Sequence, residues 1–289
     1  VVVAVRALVG DRTAWGEWIS VWPTVGWLVL FAPAVLCYRA WLAGAVLLAF
    51  VAGTTEWPGA TRSAVVAERD LRVVVWNVSG NPAFLDAVAD LEPDLVLAQE
   101  SIRPPKLPRD WVWKGGLDPG TASRFPLKVL DSRPIGPWQD PQLLLAELPH
   151  GRHLLVANVR LMLPAPVFEA AHPLDALRGR DYHRQRVRQF PALARLLSET
   201  AQKHHPDAVL LAGDFNSPAG LPSLRPLKAQ LTDVWPLAGD GWGGTAPEFL
   251  PIARIDQCWV SDALIPLRAF VTRRPGSDHR ALVVDLAFR

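Results

Sequence analysis

The sequence predicts an α/β protein: helices packed outside a two-sheet sandwich, preceded by an N-terminal transmembrane helical segment. Three observations lead there. Beyond residue 70, short apolar and β-branched runs outnumber helical stretches. The two kinds of element alternate irregularly, as in layered sandwiches. Before residue 54, two long stretches carry no charge.

Trp18 to Cys37 is 20 residues without a charged side chain, and Ala40 to Gly53 is a further 14. The first is long enough to span a bilayer and the second is marginal. They read as a helical hairpin, or as one span with a re-entrant or tilted segment. A cleaved signal peptide fits poorly, because the apolar region is too long and Asp11, Arg12 and Glu17 precede it. A buried hairpin in a soluble domain is the alternative, but no amphipathic pattern interrupts either run. Arg6 and Arg12 precede the runs, Arg39 lies between them, and Arg62, Arg69 and Arg72 follow. If both runs span, both ends lie in the cytoplasm; if one spans, the following domain lies outside. Residues 1–53 are thus expected to be a membrane anchor and 54–70, with Pro58 and Gly59, a linker. Residues 71–289 form the remaining domain.

Within that domain Leu71 to Trp76 reads as a strand. Asn81-Pro82 starts a helix to about Leu91, with Asn as cap and Pro in the first turn. Asp94 to Gln99 is a buried strand. Gln142 to Leu148 and Arg152 to Leu161 form a hairpin around Pro149-His150-Gly151. Tyr182 to Lys203 is an amphipathic helix with Val187, Phe190, Ala194, Leu197 and Ala201 on one stripe. Ala208 to Ala212, Arg254 to Val260, Leu267 to Thr272 and Ala281 to Ala287 complete the strands.

Composition narrows the chemistry. The net charge of +2 gives no general electrostatic case for nucleic-acid binding, so an anionic substrate must be handled locally. The two cysteines, Cys37 and Cys258, make neither a disulfide framework nor a cysteine metal site. Polar residues instead collect at strand ends: Asn77, Glu100, Asp214 with Asn216, and Asp278-His279 before the last strand. One such residue closes a turn; several of the same character point to a site carried on a rigid scaffold. Alternation in Arg254-Ile255-Asp256-Gln257-Cys258-Trp259-Val260 puts Asp256 on the face of Cys258 and Val260. A carboxylate on an apolar face needs a partner, and His279 is the best candidate.

Five segments occur in order: Trp76-Asn77-Val78, Pro93 to Glu100, Gly213-Asp214-Phe215-Asn216, Arg254-Ile255-Asp256 and Ser277-Asp278-His279. Together they resemble the ordered motifs of the endonuclease/exonuclease/phosphatase superfamily, over about Leu71 to Arg289. Gly244-Thr245 and Ser123-Arg124-Phe125-Pro126 look like minor features of the same group. The resemblance implies a four-layer α/β/β/α sandwich and hydrolysis of a phosphodiester or phosphomonoester by an activated water. It implies Glu100 as the main ligand of Mg²⁺ (Mn²⁺ being the alternative ion), with Asn77 and Asp278 near the ion or its waters. Asp214 would orient or deprotonate the attacking water, and Asn216 would hold that water or a phosphate oxygen. His279, backed by Asp256, would contact phosphate or transfer a proton. Oxygen donors of this kind suit Mg²⁺.

One position departs from the pattern. Asn158-Val159-Arg160-Leu161 stands where many members have Asn-Thr-His-Leu. Arg160 is no general base at neutral pH but can clamp a phosphate. It shares the face of Leu154, Val156 and Asn158, which turns polar toward the strand's end, and is expected to point into the same cleft, a surface arginine paired with a nearby acid being the alternative. His153, His172 and His183 would replace the missing histidine only if loops fold back. Arg178, Arg180, Arg184, Arg186 and Arg188 form either a solvated helix face or a contact for phosphate-rich ligands. Trp242, in a glycine-rich loop, is a candidate substrate contact. The reading is a membrane-tethered hydrolase whose partners are the bilayer, through residues 18–53, and a phosphate ester: nucleic acid, phospholipid headgroup or inositol phosphate. No obligate protein partner is evident. The rival is a weakened phosphate-binding or scaffold protein that keeps the fold.

Overall fold

A computed structural model describes residues 68–115, 118–137, 140–164 and 173–289. The expected anchor and nearly all of the linker lie outside the described residues. Among the described residues no helix is long and apolar enough to cross a membrane.

The elements run β1 (Leu71–Asn77), α1 (Phe84–Ala87), β2 (Leu95–Gln99), β3 (Val112–Gly115), β4 (Gly120–Ser123), β5 (Leu127–Val129), β6 (Gln142–Glu147) and β7 (His153–Arg160). Then come α2 (Pro173–His204), β8 (Ala208–Asp214), α3 (Arg225–Lys228), β9 (Thr232–Asp233), α4 (Trp235–Ala238), β10 (Asp256–Val260), β11 (Leu264–Thr272) and β12 (Ala281–Phe288). They build two six-stranded mixed sheets, ordered β11-β12-β1-β2-β4-β3 and β5-β6-β7-β8-β10-β9.

Strand alternation explains the layers. Leu71, Val73 and Val75 of β1 and Leu95 and Leu97 of β2 face Leu154 and Val156 of β7, Leu210 and Ala212 of β8, and Cys258 and Val260 of β10. This is the core between the sheets. Val74, Trp76, Val96 and Ala98 point to the other face of the first sheet, where Phe84, Leu85, Val88 and Leu91 cover them. Leu155, Ala157, Val159 and Leu211 point out of the second sheet and meet Phe190, Leu193, Ala194 and Leu197 of α2. Two mixed sheets flanked by helices therefore follow from period-two strands whose both faces are apolar.

Local expectations differ from the structure in places. The helix expected from Asn81 to Leu91 is two short turns, broken at Val88 (φ −116°, ψ 5°). Asn81 Oδ1 accepts the Ala83 N–H, which ends a turn rather than capping a long helix. Burial of Val88 and Leu91 against the sheet sets this path in preference to helical propensity. α2 begins earlier than expected, at Pro173, and β3, β4, β5 and β9 were not foreseen.

Gly213, in β8, has φ +146°, and a Cβ there would lie 1.9 Å from the Val159 carbonyl oxygen of the neighbouring strand. Only glycine permits this approach just before Asp214. Gly213→Ala is expected to destabilise the protein by roughly 2–3 kcal/mol. Urea unfolding checks this, and an unchanged midpoint would show that β7 and β8 can part at no cost.

Candidate active site

The polar cluster is the end of the inter-sheet core. Asn77 continues the inward face of Val73 and Val75, and Arg160 that of Leu154 and Val156. Asp214 continues Leu210 and Ala212, and Asp256 precedes Cys258 and Val260 on the same face. β10 runs antiparallel to β8, and β12 antiparallel to β1, so the start of β10 and the loop before β12 arrive at the same end. Arg160, Asp214 and Asp256 are register partners across three adjacent strands, forming one row of charge.

Beneath that row the sheets are joined by amides. Gln99 Nε2 donates to Asn158 Oδ1 at 2.7 Å, and Asn158 Nδ2 donates to the Gly120 carbonyl at 3.0 Å and Thr121 Oγ1 at 3.2 Å. Thr121 Oγ1 donates to Gln142 Oε1 at 2.6 Å. Buried polar groups must be paired, and this layer separates the apolar core from the charged one.

Asp256 is fully buried, and its Oδ2 lies 2.8 Å from His279 Nδ1. Ser277 fixes the loop that carries this histidine. Its Oγ donates to the Asn77 carbonyl at 2.6 Å and accepts the His279 N–H at 2.9 Å. Trp76 Nε1 holds the His279 carbonyl at 3.0 Å. Burial opposes a charge on the imidazole, but Asp256, with Asp214 and Asp278 nearby, outweighs it and raises the His279 pKa to about 10.

Asp214 is buried beside them. Asn77 Nδ2 donates to its Oδ2 at 3.0 Å, and the Asn216 N–H donates to its Oδ1 at 2.9 Å. Burial and then the charge of Asp256 push its pKa up to about 7, against the lowering effects of His279, Asn216 and Asn77. Asn216 adopts a left-handed conformation (φ 48°) and uses Nδ2 on the Leu161 carbonyl and Asp214 Oδ2. Its turn is held from behind by Arg186, wholly buried, which donates to the Asn216 and Met162 carbonyls at 2.8 Å and to Ser217 Oγ.

Glu100 is also left-handed (φ 54°). That backbone costs about 1–3 kcal/mol, and it is held by two bonds: its carbonyl accepts the Gly80 N–H at 2.9 Å, and its N–H donates to Asp118 Oδ1 at 2.9 Å. Glu100 Oε1 accepts Asn77 Nδ2 at 2.9 Å and Arg160 Nη2 at 2.6 Å. Arg160 Nη1 donates to Asp118 Oδ2 at 3.1 Å. Arg160 thus lies in the cleft, paired with two carboxylates.

Asp214, Asp256 and His279 bring one ligand-capable atom each within 4.8 Å of one another. His279 Nδ1 is engaged by Asp256, and Asp214 is bonded by Asn77 and Asn216, so the trio is a hydrogen-bonded network suited to proton transfer. The donors fit a hard cation better at Glu100, whose carboxylate is about a third exposed and whose Oε2 accepts no hydrogen bond among the described residues. Asp278, exposed in the next loop, offers a second carboxylate. Asn77, expected among the ligands, turns its nitrogen to Glu100 and Asp214, while its oxygen accepts the Ser79 N–H at 3.1 Å.

Other expectations divide. His153 starts β7, at the opposite end from Arg160, and His183 is buried on α2. His172 lies outside the described residues, as do the side chains of Arg178 and Arg180. Arg184 and Arg188 are exposed, with Arg184 on Asp181, so the arginine run is not one surface. Trp242 is half-buried in the loop leading to Thr245. Asp118 and Arg186 were not foreseen in these positions: one sits in an Asp-Pro-Gly turn and the other within the run of like residues. A cavity of about 450 Å³ opens beside Ser277, lined also by Glu248, Arg273 and Arg274.

The profile of the Endonuclease/Exonuclease/phosphatase family matches residues 74–279. No curated protein sequence matches the chain. Among solved structures, an endonuclease/exonuclease/phosphatase from Bacteroides vulgatus is 14% identical, with a TM-score of 0.58 over 77% of this chain and 100% of the other. A mannosyl-6-phosphatase from Bacteroides thetaiotaomicron is 15% identical, with a TM-score of 0.57 over 75% and 100%. The human Nocturnin catalytic domain with bound sulfate is 17% identical, with a TM-score of 0.59 over 81% and 100%. At these identities the likeness concerns the fold.

Asp256→Asn removes the charge that keeps His279 protonated, leaving burial to lower its pKa from about 10. A raised histidine pKa contributes stability that is full below about pH 6.5 and fades as pH rises to the folded value. The stability gap between wild type and variant should therefore be widest below about pH 6.5 and close as pH approaches about 10. NMR titration of the imidazole and unfolding at several pH values check this; an unmoved imidazole would remove Asp256 as the cause.

Proposed function

The chain belongs to the endonuclease/exonuclease/phosphatase family, and on that footing we propose that it hydrolyses a phosphate ester with a bound divalent cation, Mg²⁺ or Mn²⁺. One arrangement carries the reading: Asp256, buried, stands 2.8 Å from His279 and close to Asp214. Its charge favours a proton on the imidazole, while burial and then that same charge raise the Asp214 pKa toward neutrality, so that one group is suited to hold a proton and the other to take one.

In this reading Asp214 accepts the proton of the attacking water. Asn77 and the Asn216 N–H fix the direction of its carboxylate. His279, kept charged by Asp256, offers its free ring nitrogen to a phosphate oxygen or the leaving oxygen. Arg160 holds a second phosphate oxygen through N–H groups not engaged by Glu100 and Asp118. Glu100 and Asp278 would hold the cation, which when bound supplies charge neutralisation at the phosphate and leaving oxygen.

The phosphate-binding rival draws on the pairing of Arg160 with Glu100, which occupies the carboxylate meant for the cation. The two readings part on turnover. The substrates to test are nucleic acids, phospholipids, sphingomyelin, inositol phosphates and generic phosphodiesters. Sugar phosphates join them because a similar fold is a mannosyl-6-phosphatase. Binding without turnover on all of them would favour the rival.

We also propose that residues 18–53 tether the domain to a bilayer. The full chain should then partition into detergent, and recovery in the aqueous phase would overturn the tether. For the chemistry, Asp214→Asn should lower kcat by roughly 10²- to 10⁴-fold with little change in KM. Glu100→Gln should abolish Mg²⁺ binding measured by calorimetry and the activity with it. Retained Mg²⁺ affinity would remove Glu100 from the metal site.

A further inference from the structure

We propose that Arg160 and the divalent cation compete for Glu100, and that Asp118 is the carboxylate onto which Arg160 withdraws when the cation is bound. The inference rests on the reading of Glu100 as a metal ligand and adds to it a role for two residues.

Arg160 Nη2 sits 2.6 Å from Glu100 Oε1, a short, charge-assisted bond on the carboxylate that the cation needs. A cation on the open Oε2 would stand beside the guanidinium held on Oε1, and two like charges on one carboxylate disfavour each other. Asp118 gives Arg160 somewhere to remain. Its Oδ2 accepts Arg160 Nη1 at 3.1 Å, and its Oδ1 is pinned by the backbone N–H of Glu100 at 2.9 Å. Because that second bond is to main chain, Asp118 keeps its place whatever the Glu100 side chain does.

The charges favour an ordered sequence. One arginine between two carboxylates leaves the cluster negative, which repels a phosphate. A divalent cation reverses the sign. It also frees Nη2, and the guanidinium already holds a buried Nε without an acceptor. With five N–H groups and one engaged by Asp118, Arg160 can grip a phosphate oxygen once the cation has displaced it. The position that departs from the family pattern would thus set the order of binding: cation first, phosphate second.

The test is calorimetric titration of the full chain with Mg²⁺ alone, without substrate. Arg160→Ala and Arg160→Gln should each bind Mg²⁺ roughly tenfold more tightly than wild type. Arg160 is a third exposed, so these variants fold, and thermal unfolding confirms it for each. Asp118→Asn should bind Mg²⁺ several-fold more weakly, because Arg160 then has only Glu100. That loss should disappear when Asp118→Asn is combined with Arg160→Ala. Unchanged or weaker Mg²⁺ affinity in both Arg160 variants overturns the competition. A loss that persists in the double variant overturns the role of Asp118. The underlying reading fails separately: if Glu100→Gln binds Mg²⁺ as well as wild type, the ion is not at Glu100.

Discussion

A carboxylate buried completely between two β-sheets is tolerable only with a partner, because the cost of an unpaired charge there is several kcal/mol. Asp256 belongs to one sheet, and His279, 2.8 Å away, enters from the loop that leads into the other. The pair joins the two sheets at this end, and Asp256 raises the pKa of both the histidine and Asp214. Trp76 and Ser277 tie the same loop to β1, so the pairing and the sheet packing support each other.

From that end the molecule grades inward. First comes the charged row Arg160, Asp214 and Asp256, then the amide layer of Gln99, Asn158, Thr121 and Gln142, then an unbroken apolar core. The grading places the charged groups at the end of the core that opens toward Glu100 and Arg160, and the amides between them and the apolar layer. It also confines what can vary. The turn of Asn216 and Ser217 is clamped from behind by the buried Arg186, whereas Glu100 and Arg160 are each about a third exposed. Asp214 and Asp256 lie on the enclosed side of the cluster, and the Glu100–Arg160 pair on the accessible side.

The proton affinities of Asp214 and His279 are set by position as well as by residue type. Both are buried, and burial disfavours charge on either. Asp256 lies near both and raises both pKa values, that of the imidazole as a counterion and that of Asp214 as a like charge. One buried carboxylate thus favours the protonated form of both neighbours, for opposite electrostatic reasons.

The sequence alone determined the elements whose periodicity is strong: β1, β2, the β6–β7 hairpin, the apolar stripe of α2, and the inward face of Asp256. These are local properties of alternation and helical spacing, which one chain carries without its neighbours. β4 escaped because Gly120-Thr121-Ala122-Ser123 is small and polar and becomes strand only by pairing with β2, and β3 in turn pairs with β4. The five arginines between 178 and 188 looked alike; α2 docking alone made Arg186 a buried clamp and left Arg184 and Arg188 in water. Asp118 carried no signal beyond a turn, since its role depends on the Glu100 backbone, 18 residues away, and on Arg160, 42 residues away. Which carboxylate meets which cation is fixed by sheet register and loop path, and those are decided only when distant strands pack.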